Sequence, residues 1–387
     1  MPKQEFAIGQ DGQAFDDVQA LVQRHLLIVG QTGSGKTTTT LALLHRLQEL
    51  NHTAIVLDPT GEYRHLSHAV RYQLGINAYL DPGHLTVDQL CQALSLKLGP
   101  VLREKLHSAI NALRIQQNLV QTAQPYVKLG VPIRDYQRQL EQLGDWARSY
   151  QPRLLARQLV EEFIIPCTDE KVDYSLLGQD YARQQISQCW DTLTTIRERM
   201  VSREFRILFD PDPQRGQVKT DLFFALKMFV SQHTSRRTLV IDLSALRRFG
   251  PAQRVVISLL MKQLLADQIQ QVRPRPVTAV IDEAHRYLPT DLHDLSTNGI
   301  FQVLREGRKV RLSLTLTTQS PLDLPARLRS QFTNLLIHQL TTPEELAALS
   351  QTSNWDRTRA ARLDPGEALL WCQHRLKVIR VQQAQRC

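Results

Sequence analysis

The chain is poor in cysteine and shows no pattern in the few it has. Cys91, Cys167, Cys189, Cys372 and Cys387 lie far apart without CxxC spacing, which argues against a zinc site or a disulfide framework and makes a reducing, cytoplasmic compartment the expectation. No apolar run approaches the roughly 18 residues of a membrane span, and the N-terminal MPKQEFAIGQDGQ lacks the apolar stretch of an export signal. A protein neither anchored nor exported is expected, with no membrane partner. Aromatic residues are scarce at 6%, and no basic stripe interleaves them in the manner of a single-strand stacking surface. Internal repeats and low-complexity blocks are also missing.

What is present reads as an ordinary globular protein. With 42% hydrophobic and 22% charged residues, the 387-residue chain has room for a large core and for two or three domains. Its formal charge of +9 makes polyanions plausible partners, although nucleotide-using and membrane-surface proteins can be equally basic.

The most informative stretch is GQTGSGKT, Gly30 to Thr37. It follows the apolar run Leu26-Leu27-Ile28-Val29 and precedes a helical pattern carrying Leu41, Leu44 and Leu47. A glycine-rich turn between a strand and a helix is the context of a phosphate-binding loop. Gly30, Gly33 and Gly35 let successive amides point at β- and γ-phosphates, Lys36 adds a point charge, and the Thr37 hydroxyl is placed to ligate Mg²⁺. Gly30, Gln31, Thr32, Gly33, Ser34, Gly35, Lys36, Thr37 and Thr38 are therefore the candidate nucleotide contacts, with ATP and Mg²⁺ as the expected cofactors.

The alternation of strands and helices predicts an α/β fold with a mostly parallel, doubly wound sheet. Strands are expected at Thr53–Leu57, closing on Asp58-Pro59-Thr60-Gly61-Glu62-Tyr63, and at Thr238–Leu243, Val277–Ile281 and Arg311–Thr317, with a helix at Gln253–Gln268. Between Thr86 and Met200 the pattern becomes helical: Leu102, Leu106, Ala109 and Leu113; Ile133, Tyr136, Leu140 and Leu143; then Ile186, Leu193, Ile196 and Met200 on one last long helix. A strand from Arg206 to Phe209 is expected to follow. The chain thus divides into a first part of the core with a short N-terminal segment (1–85), an inserted helical subdomain (86–205), and a second part of the core with C-terminal strands (206–387).

Val277 to His285 reads VTAVIDEAH, a strand ending in two acids. Asp282 is placed to hold Mg²⁺ through water, and Glu283 to polarise the attacking water for γ-phosphate hydrolysis. DEAH superficially resembles two-lobed helicases, but only about a hundred residues follow, too few for a second lobe. Gln319, at the tip of the next strand, is positioned to sense the γ-phosphate or the lytic water. Arg305 and Arg308, just before that strand, are candidates for a finger reaching a neighbouring subunit's nucleotide. Arg247 with Arg248, Arg273 with Arg275, and Arg327 with Arg329 are candidate DNA contacts, although each could be a solvated patch.

Taken together, RHLLIVGQTGSGKTTTTLALL, LDPTGEY, LVIDLS, VIDEAHRYLP, LREGRKVRLSLTLTTQSP and LRSQFTNLLIHQL resemble the HerA-type branch of the FtsK/HerA translocases. The resemblance covers Leu21–Tyr63 and Thr238–Leu340, with Gly366–Val381 as a closing strand pair. It implies a RecA-like P-loop NTPase core, a homohexameric ring threading double-stranded DNA, and a nuclease partner of the NurA kind or another effector. It also implies nucleotide-site roles for Lys36, Thr37, Asp282, Glu283 and Gln319, a trans role for Arg305 or Arg308, and places Asp58 and Glu62 in the family's DPxGEY element at the cofactor. Family members of full length carry an N-terminal β-barrel that helps close the ring and dock the nuclease; with roughly twenty residues before the core strand here, partner docking through a barrel is not expected. Such a short form resembles one serving a dedicated partner in DNA end processing or anti-phage defence. A conjugation or secretion motor and a nucleotide-dependent scaffold ring that gathers effector subunits are the alternatives.

Overall fold

The structure, a computed structural model, describes residues 8–9, 18–144, 146–167, 171–212, 218–231, 237–289, 292–350, 357–372 and 375–381. Ten strands make one sheet: β1 (Ile8–Gly9), β2 (Leu26–Val29), β3 (Thr53–Asp58), β4 (Ala69–Gln73), β5 (Thr238–Asp242), β6 (Val277–Ile281), β7 (Leu312–Thr318), β8 (Asn334–Ile337), β9 (Glu367–Cys372) and β10 (Arg375–Arg380). Their order is β1-β10-β9-β8-β2-β7-β6-β3-β5-β4. From β8 to β4 all neighbours are parallel, whereas β9, β10 and β1 are joined antiparallel at one edge.

Every residue of β2, β3, β5, β6, β7 and β8 is buried. Parallel strands covered on both faces need apolar side chains on both, which is why these segments read as continuous runs rather than alternations. On one side, Leu43, Leu44 and Leu47 of the helix Lys36–Glu49 join a core with Leu26, Ile28, Ala54, Val56, Val240 and Val280. The helix Gly250–Gln270 is contacted closely by Gly299 at the start of the helix Gly299–Glu306, where an added Cβ would lie 2.0 Å from the Ser258 carbonyl oxygen.

The chain divides into two compact units, Met1–Leu74 with Phe223–Cys387, and Gly75–Leu222. The second unit is wider than the 86–205 span expected from helical texture. Its two ends are tied where Ala78–Tyr79 pairs in parallel with Thr220–Asp221, so the flanking turns belong to it. Within it, the helix Pro100–Ile115 buries Leu102, Leu106, Ala109 and Leu113. A polar network lies nearby: Lys128 and Glu162, 5% and 3% exposed at the side chain, pair at 2.5 Å. Gln158 donates to Glu162 Oε1 (3.1 Å) and to the Tyr126 carbonyl (3.0 Å), while its own oxygen accepts from the Tyr126 amide (2.6 Å).

Two expectations in this unit are corrected. Residues 206–209 are helical, not extended, forming the end of the helix Arg203–Phe209. Ser202 caps it by accepting from the Phe205 amide at 3.1 Å, and Phe205, Leu208 and Phe209 bury one helical face. The long last helix is in fact two, Arg183–Gln188 and Trp190–Met200, interrupted at Cys189. In the other unit, Arg311 lies outside β7 and adopts a left-handed φ of 56°.

Among the described residues, Cys91, Cys167, Cys189 and Cys372 form no disulfide. Cys387 and most of the N-terminal segment lie outside the described residues. Among the described residues, no helix is long and apolar enough to cross a membrane.

Candidate functional site

Parallel strands deliver their C-terminal ends to one edge of the sheet, and four of them bring polar chemistry there. Val29 of β2 is level with Thr318 of β7, and Ile281 of β6 is level with both Leu316 of β7 and Leu57 of β3. The loops Gly30–Gly35, Asp58–Tyr63, Asp282–His285 and the tip of β7 at Gln319 therefore meet. The strand next to β2 is β7, not the Asp282 strand, so Asp282 stands about 10 Å across the sheet from β2, two strand spacings away.

The loop after β2 is shaped for an anion. Gly35 takes φ 110°, open to residues without a side chain, and a Cβ on Gly30 would sit 2.5 Å from His338 Cβ and 2.7 Å from Ser34 Oγ. Gly35 caps the helix Lys36–Glu49 with no side-chain hydrogen bond, which leaves the first-turn amides directed outward. Ser34 Oγ is buried and has no hydrogen-bond partner. Lys36 donates to the carbonyls of Gly30 (2.7 Å) and Gln31 (3.1 Å), holding its ammonium inside the loop. Burial pulls Lys36 below the usual lysine range, while Glu283, Asp282 and Glu62 push the other way. Amides, an uncapped helix end, an orphaned hydroxyl and a buried ammonium fit a nucleotide's phosphates.

The acidic side is built around Asp282, which is 3% exposed. Its Oδ1 accepts from the Thr317 hydroxyl and from the Glu283 amide (3.1 Å), and Oδ2 from the Tyr63 hydroxyl (3.4 Å). Glu283 adopts a left-handed φ of 50°, which turns its side chain out of the strand line. Gln319 donates to Glu283 Oε2 and accepts from the Thr32 hydroxyl, both at 3.2 Å, linking the phosphate loop to the acid. His285 Nδ1 lies 3.5 Å from Glu283 Oε2 and 3.2 Å from Thr318 Oγ1.

Thr37 donates to Glu62 Oε2 at 3.0 Å. Glu62 is raised above the usual carboxylate range, chiefly by burial and further by Asp282, Asp58 and Glu283, with the Thr37 hydrogen bond opposing. A hydroxyl with lone pairs to spare and two nearby carboxylates is a donor set that suits Mg²⁺ sharing its shell with phosphate and water. No group of three or more His, Cys, Asp or Glu among the described residues forms a self-sufficient metal cage.

Most of the sequence-based candidates are thus available to a ligand at one edge, with three exceptions. Asp58, expected at the cofactor, is wholly buried, and its oxygens accept from the amides of Thr60, Gly61, Glu62 and Tyr63. Arg305 and Arg308 are exposed and precede the start of β7. They lie at the opposite edge, about 20 Å from the phosphate loop along a seven-residue strand. Arg308 instead acts on buried His25 just before β2, helping burial lower it to about 4. Of the basic pairs, Arg247 and Arg248 follow β5 at the site's edge, whereas Arg273 and Arg275 precede β6. Arg329 donates to the Pro321 carbonyl at 2.7 Å, and Arg327 lies 6.0 Å from the Phe301 ring centre.

Sequence reasoning missed Tyr63, Thr317 and His338. His338 follows β8 beside the loop, fully buried, with Nδ1 3.0 Å from the Glu367 carbonyl and Nε2 3.0 Å from Thr39 Oγ1. A carbonyl can only accept, so Nδ1 carries the proton and Nε2 accepts from Thr39. Its signal was a lone histidine closing the apolar run LLIHQL.

The fold and the loop define a P-loop NTPase. A family model, helicase HerA central domain, matches residues 11–174. The DNA double-strand break repair helicase HerA of Sulfurisphaera tokodaii is 22% identical over 373 residues, covering 94% of this chain and 65% of that protein. The protein of the same name from Saccharolobus solfataricus is 22% identical over 357 residues, covering 90% and 61%. Among solved structures, VirB4 of Thermoanaerobacter pseudethanolicus superposes with a TM-score of 0.61 at 15% identity, covering 100% of this chain and 98% of that one. Plasmid coupling protein TrwB in complex with ADP and Mg²⁺ gives 0.58 at 14%, covering 100% and 91%. The chain is therefore similar to HerA helicases, by the family model over residues 11–174 and by these relatives over most of its length. It spans less than two thirds of the length of these HerA relatives.

Proposed function

We propose that the chain is an ATP-hydrolysing DNA translocase of HerA type, working in the cytoplasm as a homohexameric ring that drives duplex DNA to or through a partner nuclease or effector, in DNA end processing or anti-phage defence. The observation that carries this is the joining of the phosphate loop, Gln319 and Glu283 in one hydrogen-bonded set at the sheet's edge. The amides from Gly30 to Thr38 and the Lys36 ammonium bind the phosphates, and Thr37 and Asp282 hold Mg²⁺, which supplies charge neutralisation on the phosphate oxygens when bound. Glu283 takes a proton from water, Gln319 orients that water or the γ-phosphate, and Arg305 or Arg308 serves the site of a neighbouring copy. The relatives' names supply the DNA substrate in this reading.

The test is steady-state ATPase of the full chain with and without linear duplex DNA at two salt concentrations, with Lys36→Ala as the blank. Stimulation by DNA that weakens as salt rises is the expected result. Hydrolysis indifferent to DNA would overturn the DNA-translocase reading in favour of a secretion motor or a scaffold ring.

A further inference from the structure

The DPTGEY segment has no assigned duty, and its geometry is unusual for a strand-end turn. Asp58, completely buried, accepts from Thr60 (3.3 Å), Gly61 (2.7 Å) and Glu62 (3.1 Å) at Oδ1 and from Tyr63 (2.9 Å) at Oδ2. One carboxylate therefore fixes the path of four consecutive residues. The turn sends its last two side chains to two different catalytic elements: Glu62 Oε2 accepts from Thr37 on the phosphate-loop helix, and the buried Tyr63 hydroxyl donates to Asp282 Oδ2 on β6.

Thr37 has one hydroxyl proton and two lone pairs. Giving the proton to Glu62 leaves the lone pairs for a cation. Asp282 does not accept from Thr37; its oxygens receive Thr317, the Glu283 amide and Tyr63. The carboxylate that orients the cation-binding hydroxyl is thus Glu62, supplied by a different strand end.

The geometry points to DPTGEY as a clamp that positions the Mg²⁺ ligands from both sides: Glu62 orients Thr37, Tyr63 orients Asp282, and Asp58 holds the turn that delivers them. This rests on the nucleotide-site reading above. Glu62 and Tyr63 are positioning residues in this account. Their contribution is to cation affinity, and nucleotide affinity without cation does not depend on them.

The experiment is equilibrium binding of a fluorescent, non-hydrolysable ATP analogue to the full chain, titrated with Mg²⁺ and repeated in EDTA. Glu62→Ala is expected to raise the half-effective Mg²⁺ concentration about tenfold or more, and Tyr63→Phe about threefold, as for one lost hydrogen bond. Glu62→Gln, which keeps an acceptor oxygen for Thr37 and loses the charge, falls between Glu62→Ala and the parent. All three retain the parent's affinity in EDTA. A Glu62→Ala midpoint indistinguishable from the parent's, or an equal loss of affinity with and without Mg²⁺, overturns the clamp while leaving the nucleotide site standing. A parent chain that shows no Mg²⁺-dependent binding of the analogue overturns the nucleotide-site reading and the clamp together.

Discussion

The sheet's C-terminal edge and the inserted unit bury polar groups in different ways. At the edge, Asp282, Glu283, Glu62 and Lys36 come from three strand ends, and the three carboxylates accept from hydroxyls or amides around them. In the inserted unit, Lys128 and Glu162 are buried against each other, with Gln158 and Ser108 completing the set. Carboxylates at the edge keep capacity for a ligand. The Lys128–Glu162 pair is closed on itself, and removing one partner leaves the other charged and buried. The difference separates loss of chemistry from loss of fold.

Three substitutions sharpen that separation. The largest effect is expected for Glu283→Gln, which keeps the Gln319 contact possible but removes the base; turnover should fall about 10⁴-fold while nucleotide affinity and urea midpoint stay at the parent's values. Turnover at the parent rate would remove Glu283 from the reaction. Next, Glu162→Ala should lower the stability of the inserted unit by about 3–5 kcal/mol, seen as an earlier urea transition, with nucleotide binding by the core unchanged. Replacing Lys128 by Met as well should recover most of it. A parallel loss of nucleotide affinity would show that the two units are not energetically separate.

The third effect is smaller and depends on pH. Burial, with help from Lys36, lowers His338 to about 4. A histidine held neutral in the fold but titrating near 6.5 when unfolded contributes stability that is complete above about pH 6.5 and is lost as pH falls toward 4, about 3 kcal/mol in all. Asp58 and Glu62, raised by burial, act in the opposite sense, because the fold favours their protonated forms. The comparison therefore belongs between the parent and His338→Gln. Urea unfolding at pH 7 and pH 5 should show the parent losing more stability on acidification than the variant, and equal losses would exclude His338 as the source.

The phosphate loop, the acid pair and Gln319 were legible in sequence because each is a short run whose residue types follow from phosphate chemistry. The parallel sheet was legible because doubly covered strands cannot hide their apolar runs. Asp58 was visible as an acid but not as the centre of a turn, since its four partners are amides, which every residue carries. Tyr63 and Thr317 gain their meaning from contacts with Asp282 that join residues 219 and 35 positions apart. The Arg206–Phe209 segment was misread because four residues, three of them apolar, fit a strand or one turn of helix equally, and only Ser202, just upstream, decides the matter. The Lys128–Glu162 pair has no spacing signature at all.

The placement of Arg305 and Arg308 at the sheet's other end has a consequence for symmetry. If either arginine serves a nucleotide, it does so from one pole of its own chain to the opposite pole of another. Each copy then has a giving pole and a receiving pole. A two-fold pair serves both copies only if they lie antiparallel; copies that keep one orientation make a heterologous contact instead. Repeating it either returns to the first copy after a whole number of steps or continues as an open helix, and the rotation per step decides which.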